Sequence, residues 1–336
     1  MDRERISSIA DIARMAGVSK STVSRALNDS PLIGVETKER IRSIAKEHGF
    51  EIDVRARRLS LQKSGTIALV AYVYKADSVM PDAFMLGMMT GISAGLGKND
   101  YDLLLTHVSP TDASWPRRYL EAGRVDGFIM LEAECTRRQL EALVATRAPF
   151  VLWGPPSTTN AYPSVSGDSL TGGRVATEHL VRIGRRRIAF IGGPPRELEV
   201  LDRLRGYETA LRDAGLPVDP QLIAHGDYSE QSGATAMAEL LDRAADLDAV
   251  FVNSDVMAIT AMETLRERGR EIPADVAVVG YDDIPLAHHV NPPLTTIRQD
   301  PILAGRLLAE TLIERLRTGV VTSVSIPAEL VVRGSA

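Results

Sequence analysis

The sequence has a single cysteine, Cys135, among its 336 residues. One cysteine excludes an internal disulfide and a cysteine-based zinc site, and such scarcity is typical of a reducing compartment. No activating motif surrounds Cys135, so we assign it no catalytic role.

Long apolar runs are also missing, because no stretch has the roughly 20 apolar residues that a membrane-spanning helix needs. Residues 1–5 are mostly charged and lead into a helical pattern, unlike an apolar signal segment. We therefore expect a cytoplasmic protein and not a secreted binding protein.

Signatures of common enzyme classes are absent as well. The sequence contains no Gly-x-Gly-x-x-Gly after a strand, no Gly-x-x-x-x-Gly-Lys-Ser/Thr loop, no His-Glu-x-x-His and no Gly-x-Ser-x-Gly elbow. The neighbours His288 and His289 cannot easily bind one metal ion, and no carboxylates with ligand spacing surround them. We expect no enzyme, no cofactor and no metal.

The composition that remains is ordinary for a globular protein, with 44% hydrophobic and 25% charged residues. The net charge of −5 is unevenly divided. Residues 1–65 contain 13 Lys and Arg against 9 Asp and Glu, hence +4, whereas the remainder contains 26 against 35, hence −9. A small basic module joined to a larger acidic one indicates that the small part contacts nucleic-acid phosphates.

The first fifty residues predict three short helices, at about Ile9–Ala16, Lys20–Leu27 and Val35–Glu47. Together they bury a small core. The side chains expected to face that core are Ile9, Ile12, Ala13, Ala16, Val23, Leu27, Ile41, Ile44 and Ala45.

The connection between the first two helices predicts a helix-turn-helix. Gly17 permits the positive φ of a tight turn, Val18 fills the angle between the helices, and Ser19 caps the second helix. The second helix then presents an outward face of hydrogen-bond donors and small groups, suited to base edges and phosphates. This face consists of Lys20, Ser21, Thr22, Ser24 and Arg25.

From Thr66 onward, short apolar runs alternate with amphipathic helical stretches, which predicts doubly wound parallel α/β sheets. The length of this region favours two similar lobes, split near Val165–Asp168, with the chain crossing back near Leu294–Ile297. A ligand is expected in the cleft between them. The predicted strands are Thr66–Tyr74, Tyr101–Thr106, Gly127–Leu131, Phe150–Trp153, Ile188–Ile191, Ala249–Val252 and Val276–Gly280.

The segment from Ser8 to Asn28 resembles the headpiece of the LacI/GalR family of bacterial repressors. The resemblance implies that Lys20, Ser21 and Arg25 read bases in the major groove, while Thr22, Ser24 and Asn28 mostly hold phosphates. One departure is Gly34, where the family usually has a hydroxyl residue that caps the third helix. The matching residues are Asp11, Ala13, Ala16-Gly17-Val18-Ser19, Thr22-Val23-Ser24-Arg25 and Asn28.

The basic stretch that follows resembles the hinge of the same family, through Ala56-Arg57-Arg58-Leu59. The resemblance implies a segment that becomes helical in the minor groove when two subunits pair, with Leu59 wedged between base steps. Arg55, Ala56 and Arg57 would add contacts there and make binding steeply salt-dependent. A plain basic linker is the alternative interpretation.

The resemblance continues through the α/β region and implies a periplasmic-binding-protein-like fold that binds a small sugar effector. In the family, the positions of Arg203 and Asp282 face the cleft and fix ligand hydroxyls; a purely structural ion pair is the alternative. Glu197 and Glu199 stand where a purine-binding relative has positive or hydroxyl groups, which favours sugars over nucleobases. Further candidates for the effector site are Phe84, Met85, Trp153, Tyr228, Ser254 and Asp255.

These observations predict a headpiece (1–52), a hinge (53–65) and an effector-binding and dimerisation domain (66–336). The N-lobe would comprise 66–165 and 296–325, and the C-lobe 166–295 and 326–336. We expect a homodimeric repressor of carbohydrate genes, released from a palindromic operator by a sugar. A corepressor-dependent regulator with a non-sugar ligand and a sugar-binding protein without regulatory role are the alternatives.

Overall fold

The computed structural model describes residues 8–27, 30–50, 63–72, 83–108, 112–131, 137–156, 159 and 161–336. The chain divides into two compact units, Met1–Lys63 and Ser64–Ala336. Each unit is considered by itself below.

The first unit contains the three helices that the sequence predicts: α1 (Ile9–Ala16), α2 (Lys20–Leu27) and α3 (Val35–Glu47). Helix α1 ends at Gly17, which has φ 62°, so the positive φ expected for the turn is present. Helix α2 begins after Ser19, whose Oγ accepts from Thr22 N at 3.1 Å. Helix α3 begins after Gly34 without a side-chain cap, as its residue type requires.

The core of the first unit is small and entirely apolar. Six of the side chains expected in this core are buried: Ile12, Ala13, Ala16, Val23, Ile41 and Ala45. Ala26 joins them although the sequence did not single it out, while Ile9, Leu27 and Ile44 pack against the cluster only partly buried. The predicted helical faces are therefore correct, because the 3.6-residue period fixes which side turns inward.

The second unit contains two sheets of six described strands each, as the strand-helix alternation predicts. The N-lobe sheet has the order β2-β1-β3-β4-β5-β11, and every pair in it is parallel. Its strands are β1 (Thr66–Tyr72), β2 (Asp102–Val108), β3 (Gly127–Leu131), β4 (Phe150–Trp153), β5 (Ser164–Gly167) and β11 (Val324–Ile326). The helices of this lobe are α4 (Ala83–Gly97), α5 (Trp115–Glu121), α6 (Arg137–Ala145) and α11 (Pro301–Thr318).

The C-lobe sheet has the order β7-β6-β8-β9-β10-β12, and only its edge strand β12 is antiparallel. Its strands are β6 (Ile188–Gly192), β7 (Ile223–His225), β8 (Ala249–Val252), β9 (Ala277–Asp282), β10 (Thr295–Arg298) and β12 (Glu329–Val331). The helices of this lobe are α7 (Ser169–Arg182), α8 (Leu198–Asp213), α9 (Glu230–Arg243) and α10 (Asp255–Glu267).

The chain passes between the lobes at three places: after β5, after β10 and after β11. Strand β10 lies wholly in the C-lobe sheet, so the second crossing follows Arg298 and comes a few residues later than the expected boundary at 296. Gly167 and Ile326 likewise pair within the N-lobe sheet. The shifts arise because hydrogen-bond pairing ends each strand, and hydrophobic patterning does not reveal where pairing stops.

Close helix packing positions the site. Gly173 of α7 lies against the backbone of Arg203 in α8, and Gly206 of α8 lies against the backbone of Leu170. A Cβ atom at either glycine would collide with main-chain atoms, so the two helices approach closely only because both residues are glycine. This seam fixes the height of α8 above the C-lobe sheet.

No helix among the described residues is both long and apolar enough to cross a membrane. The same part of the chain contains no cluster of three or more His, Cys, Asp or Glu side chains arranged to hold a metal ion.

Candidate functional site

Helix α2 presents the outward face that the sequence predicts. Lys20, Ser21 and Arg25 are exposed, whereas Thr22 and Ser24 are half-buried. The Ser19 hydroxyl lies 2.8 Å from Thr22 Oγ1 and 2.7 Å from Ser21 Oγ, which holds the first turn together. The N-terminal end of α2 therefore combines free backbone N–H groups with exposed cationic and hydroxyl side chains, which is a suitable surface for phosphates and base edges.

Ser8 has a structural task at the start of α1. Its Oγ donates to Asp11 Oδ2 at 2.7 Å and accepts from Asp11 N at 3.4 Å, so it caps the helix. The remaining candidates for DNA contact lie outside the described residues and stay predictions: Asn28, Arg55, Ala56, Arg57 and Leu59.

Arg203 is the centre of a polar wall in the C-lobe. Its side chain is nearly buried, with 3% exposure, and its guanidinium carbon lies 3.7 Å from the ring centroid of Tyr281. Nη1 donates to the Asn253 carbonyl at 2.9 Å, and Nη2 lies 3.6 Å from Glu199 Oε2. Stacking on the ring and two polar partners hold the guanidinium in one orientation.

Tyr228 extends this wall from the loop after β7. Its backbone has φ 68°, an uncommon conformation for a bulky residue, and its ring lies against the backbone of Gly193. The hydroxyl donates to Glu197 Oε2 at 2.8 Å and lies 3.5 Å from Asn253 Nδ2. A strained backbone held by a specific hydrogen bond is typical of a functional site.

Several buried polar atoms of the wall have no hydrogen-bond partner: Arg203 Nε, Asn253 Oδ1 and Glu199 Oε1. An unpaired buried polar group costs about 1–3 kcal/mol, so such groups are uncommon away from binding sites. Their collection on adjacent elements indicates that this wall can take a ligand with hydroxyl groups, which donate to the amide and carboxylate oxygens.

Asp282 ends β9 beside this wall with φ 113°, which is also unusual outside glycine. Its Oδ1 accepts from Gln299 Nε2 at 2.8 Å, and Gln299 lies just past the second crossing between the lobes. The adjacent Asp283 binds Arg298 at 2.8 Å and also contacts Arg333. The end of β9 is therefore tied to the crossing segments.

The N-lobe contributes an aromatic surface. Phe84 and Trp153 have ring centroids 6.0 Å apart, and Met85 is partly buried beside the same core. Trp153, with 7% exposure, lines a pocket together with Tyr281 and Gln299 from the C-lobe. The structure therefore brings Trp153 together with the C-lobe wall, while Phe84 reaches the pocket region through its contact with Trp153.

Ser254 and Asp255 have internal roles that argue against the ligand contacts expected for them. Ser254 Oγ caps α10 by accepting from Met257 N at 3.3 Å. Asp255 is fully buried; its Oδ1 accepts from Thr296 Oγ1 at 2.6 Å and its Oδ2 from Ile284 N at 2.9 Å. The expectation from strand-end position was misled because a carboxylate there can equally join neighbouring strands.

Burial shifts the acid groups of this region. It raises the pKa of Glu197 to about 7, with the Tyr228 hydrogen bond opposing and the charge of Glu199 adding to the shift. Burial also raises the pKa of Glu199, although Arg203 opposes it. The pKa of Asp255 rises to about 7 for the same reason, against its hydrogen bonds from Thr296 and Ile284.

Sequence reasoning missed three members of the site: Asn253, Tyr281 and Gln299. Asn253 and Tyr281 were read only as parts of strands, and Gln299 follows the motif that marked the crossing. The available signal was their position, because each stands at or just past the carboxyl end of a C-lobe strand, where ligands of parallel sheets collect.

Comparison with known proteins identifies both parts of the chain. Residues 8–52 match the sequence model for bacterial regulatory proteins of the lacI family, and residues 177–336 match that for a periplasmic binding protein-like domain. The HTH-type transcriptional regulator CelR of Thermobifida fusca is 36% identical over 319 residues, which cover 94% of each chain.

Solved structures agree over nearly the whole length. A CelR–cellobiose complex superposes with a TM-score of 0.76 at 33% identity, covering 98% of this chain and 100% of that one. The lac repressor dimer bound to operator and the anti-inducer ONPF superposes with a TM-score of 0.77 at 26% identity, covering 98% of each chain.

Proposed function

Because the chain belongs to the lacI family of bacterial regulatory proteins and is a DNA-binding transcriptional regulator, we propose that it represses carbohydrate-utilisation genes and that a sugar releases it. The observation that carries the sugar assignment is the buried Arg203, held over Tyr281 beside the unpaired oxygen of Asn253. A fixed guanidinium and an amide recognise neighbouring hydroxyls in defined geometry.

The DNA-reading roles follow from α2 and from the family resemblance. Lys20, Ser21 and Arg25 are assigned to base edges, because they are exposed on the helix that this motif inserts into the major groove. Thr22, Ser24 and Asn28 are assigned to phosphates. Leu59 is assigned to the minor-groove wedge, with contacts from Arg55, Ala56 and Arg57.

The effector roles divide between the lobes. Arg203 and Asp282 bind hydroxyls, with Asn253 added from the geometry, and Tyr228 supplies a ring and a hydroxyl. Phe84, Met85 and Trp153 cover the less polar faces of the sugar. The solved relative CelR holds cellobiose, which supports an oligosaccharide as the first ligand to test.

A homodimer on a palindromic operator accounts for the use of a single reading helix per chain, since one headpiece covers one half-site. The lac repressor neighbour is a dimer on its operator, which supports the same assembly here. Such a regulator works where its operator is, in the cytoplasm, and no enzymatic activity enters the proposal.

Ligand control is assigned to a change in the angle between the two lobes. The three crossing segments are the points about which the lobes can rotate, and Asp282–Gln299 joins one of them to the pocket wall. The change would order or melt the hinge of residues 53–61, with a coupling of about 1–3 kcal/mol between sugar and operator.

The test is fluorescence anisotropy of the purified protein on DNA from upstream of its own gene, at fixed salt. A panel of mono- and oligosaccharides that includes cellobiose is then titrated into the complex. Specific binding that one sugar reverses supports the proposal. Specific binding that a sugar strengthens identifies a corepressor, and binding without any sequence preference refutes the assignment of α2 as the reading helix.

A further inference from the structure

The C-lobe wall carries more negative than positive groups. Glu197, Glu199 and Asp282 each present a carboxylate, and the charged partner that acts on all three is Arg203. Asp202 adds a further acid close to Glu199. The wall therefore has little positive potential to offer an anion.

Arg203 is already occupied by protein groups. One terminal nitrogen donates to the Asn253 carbonyl and the other faces Glu199, while the flat face of the guanidinium covers Tyr281. The ideal bidentate grip on a phosphate needs two free donors on one edge of the guanidinium. Arg203 therefore cannot hold a phosphate in that way without breaking its contact with Glu199.

The atoms without partners are mostly acceptors. Glu199 Oε1 and Asn253 Oδ1 are both buried and unpaired, and Asn253 is fully buried. Glu197 Oε2 already accepts one hydrogen bond, from Tyr228. Acceptors need donors, which sugar hydroxyls supply and which a phosphate or carboxylate group lacks.

We propose that the effector is an uncharged, unphosphorylated sugar whose hydroxyls donate to Glu197 and Glu199, and that these two carboxylates exclude phosphorylated and acidic sugars. This inference rests on the proposed function. It adds the charge class of the ligand and gives two residues that the family motif does not assign the task of selecting it. Opposed like charges in a partly desolvated pocket weaken binding strongly, so the discrimination is expected to be at least about tenfold.

The experiment measures binding by calorimetry to the full-length protein with matched pairs of sugars. The pairs are cellobiose and cellobionic acid, glucose and glucose 6-phosphate, and ribose and ribose 5-phosphate. The neutral member of a pair should bind at least about tenfold more tightly than its anionic partner. An anionic member that binds as tightly as its neutral partner, or a panel in which no neutral sugar binds, would overturn the inference.

Variants then assign the discrimination to the two carboxylates. The double variant Glu197→Gln/Glu199→Gln keeps the shapes and removes the charges, so the neutral-to-anion ratio should fall about tenfold. Glu208→Gln, on the same helix but paired with Arg212, is the matched control and should leave the ratio unchanged. An unchanged ratio in the double variant would show that other groups exclude anions and would refute the proposal.

A second measurement is independent of the cognate sugar. Inorganic phosphate is added to each protein and the melting temperature is recorded. Phosphate should stabilise the double variant and not the natural protein, because removal of Glu199 frees Arg203. Equal stabilisation of both proteins would contradict the proposed exclusion.

The anisotropy titration separates this inference from the proposed function. Release of operator DNA by a phosphorylated sugar would refute the charge selection and leave the regulator intact. Absence of sequence-specific DNA binding would refute the proposed function, while the calorimetric ratios would still decide whether the pocket rejects anions.

Discussion

The two units of this chain build their candidate sites in opposite ways. In Met1–Lys63 the reading face lies on one eight-residue helix, so residues that are close in the sequence act together. In Ser64–Ala336 the pocket wall collects Arg203, Tyr228, Asn253 and Tyr281 from different elements. A local motif therefore exposes its chemistry in the sequence, whereas a pocket depends on topology.

The units also differ in what supports their sites. The first unit has one cluster of seven buried apolar residues, whereas the second has four larger clusters on both faces of its sheets. A small domain has little stability to lose, since it buries a smaller fraction of its surface. Core damage should therefore abolish function sooner in the first unit.

The largest effect is expected for Ile12→Ala. Ile12 is fully buried in the small core, and such a truncation costs about 2–5 kcal/mol. Operator affinity should fall more than about a hundredfold, while sugar affinity in calorimetry stays within twofold. Met15→Ala, at a side chain of the same helix with 48% exposure, is the control and should bind operator normally. Parallel loss of both activities would break the distinction between the two units.

Arg203→Ala should produce the next largest effect. It removes the hydroxyl donor and leaves Glu199 buried without its cationic partner, at a cost of about 2–5 kcal/mol in sugar binding. Sugar affinity should fall at least about thirtyfold, so the sugar no longer releases operator in the anisotropy titration. Arg205→Ala, on the same helix at a side chain with 67% exposure, is the matched control. A normal sugar response in Arg203→Ala would rule out this wall as the effector site.

The comparison explains how far the sequence could predict the molecule. The three headpiece helices and the cap at Ser19 follow from period and residue type, which act over a few residues. The two sheets follow from strand-helix alternation. Short or polar strands such as β5, β7 and β11 were not predicted, because neighbouring strands form them and not their own composition.

Site residues follow the same division. Arg203 and Asp282 were found through the family resemblance, and Trp153 through its place at the end of a predicted strand. Asn253 escaped because a buried amide inside an apolar run gives no periodic signal, and its unpaired oxygen appears only in three dimensions. Asp255 was misleading, because the sequence cannot tell a carboxylate that faces a ligand from one that binds Thr296 and Ile284.

A smaller effect is expected from pH on the second unit. The pKa of Asp255 is about 7 in the folded protein, above its ordinary value of about 4. The native state then binds more protons than the unfolded chain between these values, so this contribution is fully present below about pH 4 and is lost as pH rises through 7. Glu197, also with a pKa of about 7, acts in the same direction.

The free energy of unfolding should therefore fall between pH 5 and pH 8, by up to about 1.4 kcal/mol per pH unit for each such group. Asp255→Asn can still accept from Ile284 N and can donate to Thr296 Oγ1, so it should flatten the profile without preventing folding. Urea unfolding followed at several pH values measures the slope. An identical slope in Asp255→Asn would show that this carboxylate does not titrate in that range.

The smallest effect is expected for Gly34→Ser at the start of α3. Gly34 has φ −63° and ψ 149°, a conformation that any residue adopts, and a Cβ atom there would meet nothing within 4 Å. The serine hydroxyl can accept from a free N–H of the first turn, which should stabilise the headpiece by a few tenths of a kcal/mol. Gly34→Ala adds the same Cβ without the acceptor, and alanine is a poorer cap than glycine.

The two substitutions should therefore change the stability of α3 in opposite directions, and amide hydrogen exchange along α3 in the full chain would detect the difference. Slower exchange in Gly34→Ser with faster exchange in Gly34→Ala assigns the effect to the cap. A gain in both variants would instead assign it to the lower entropy of the unfolded chain once glycine is removed. In that case the headpiece would owe its stability at this position to the unfolded state, and the missing hydroxyl would carry no structural cost.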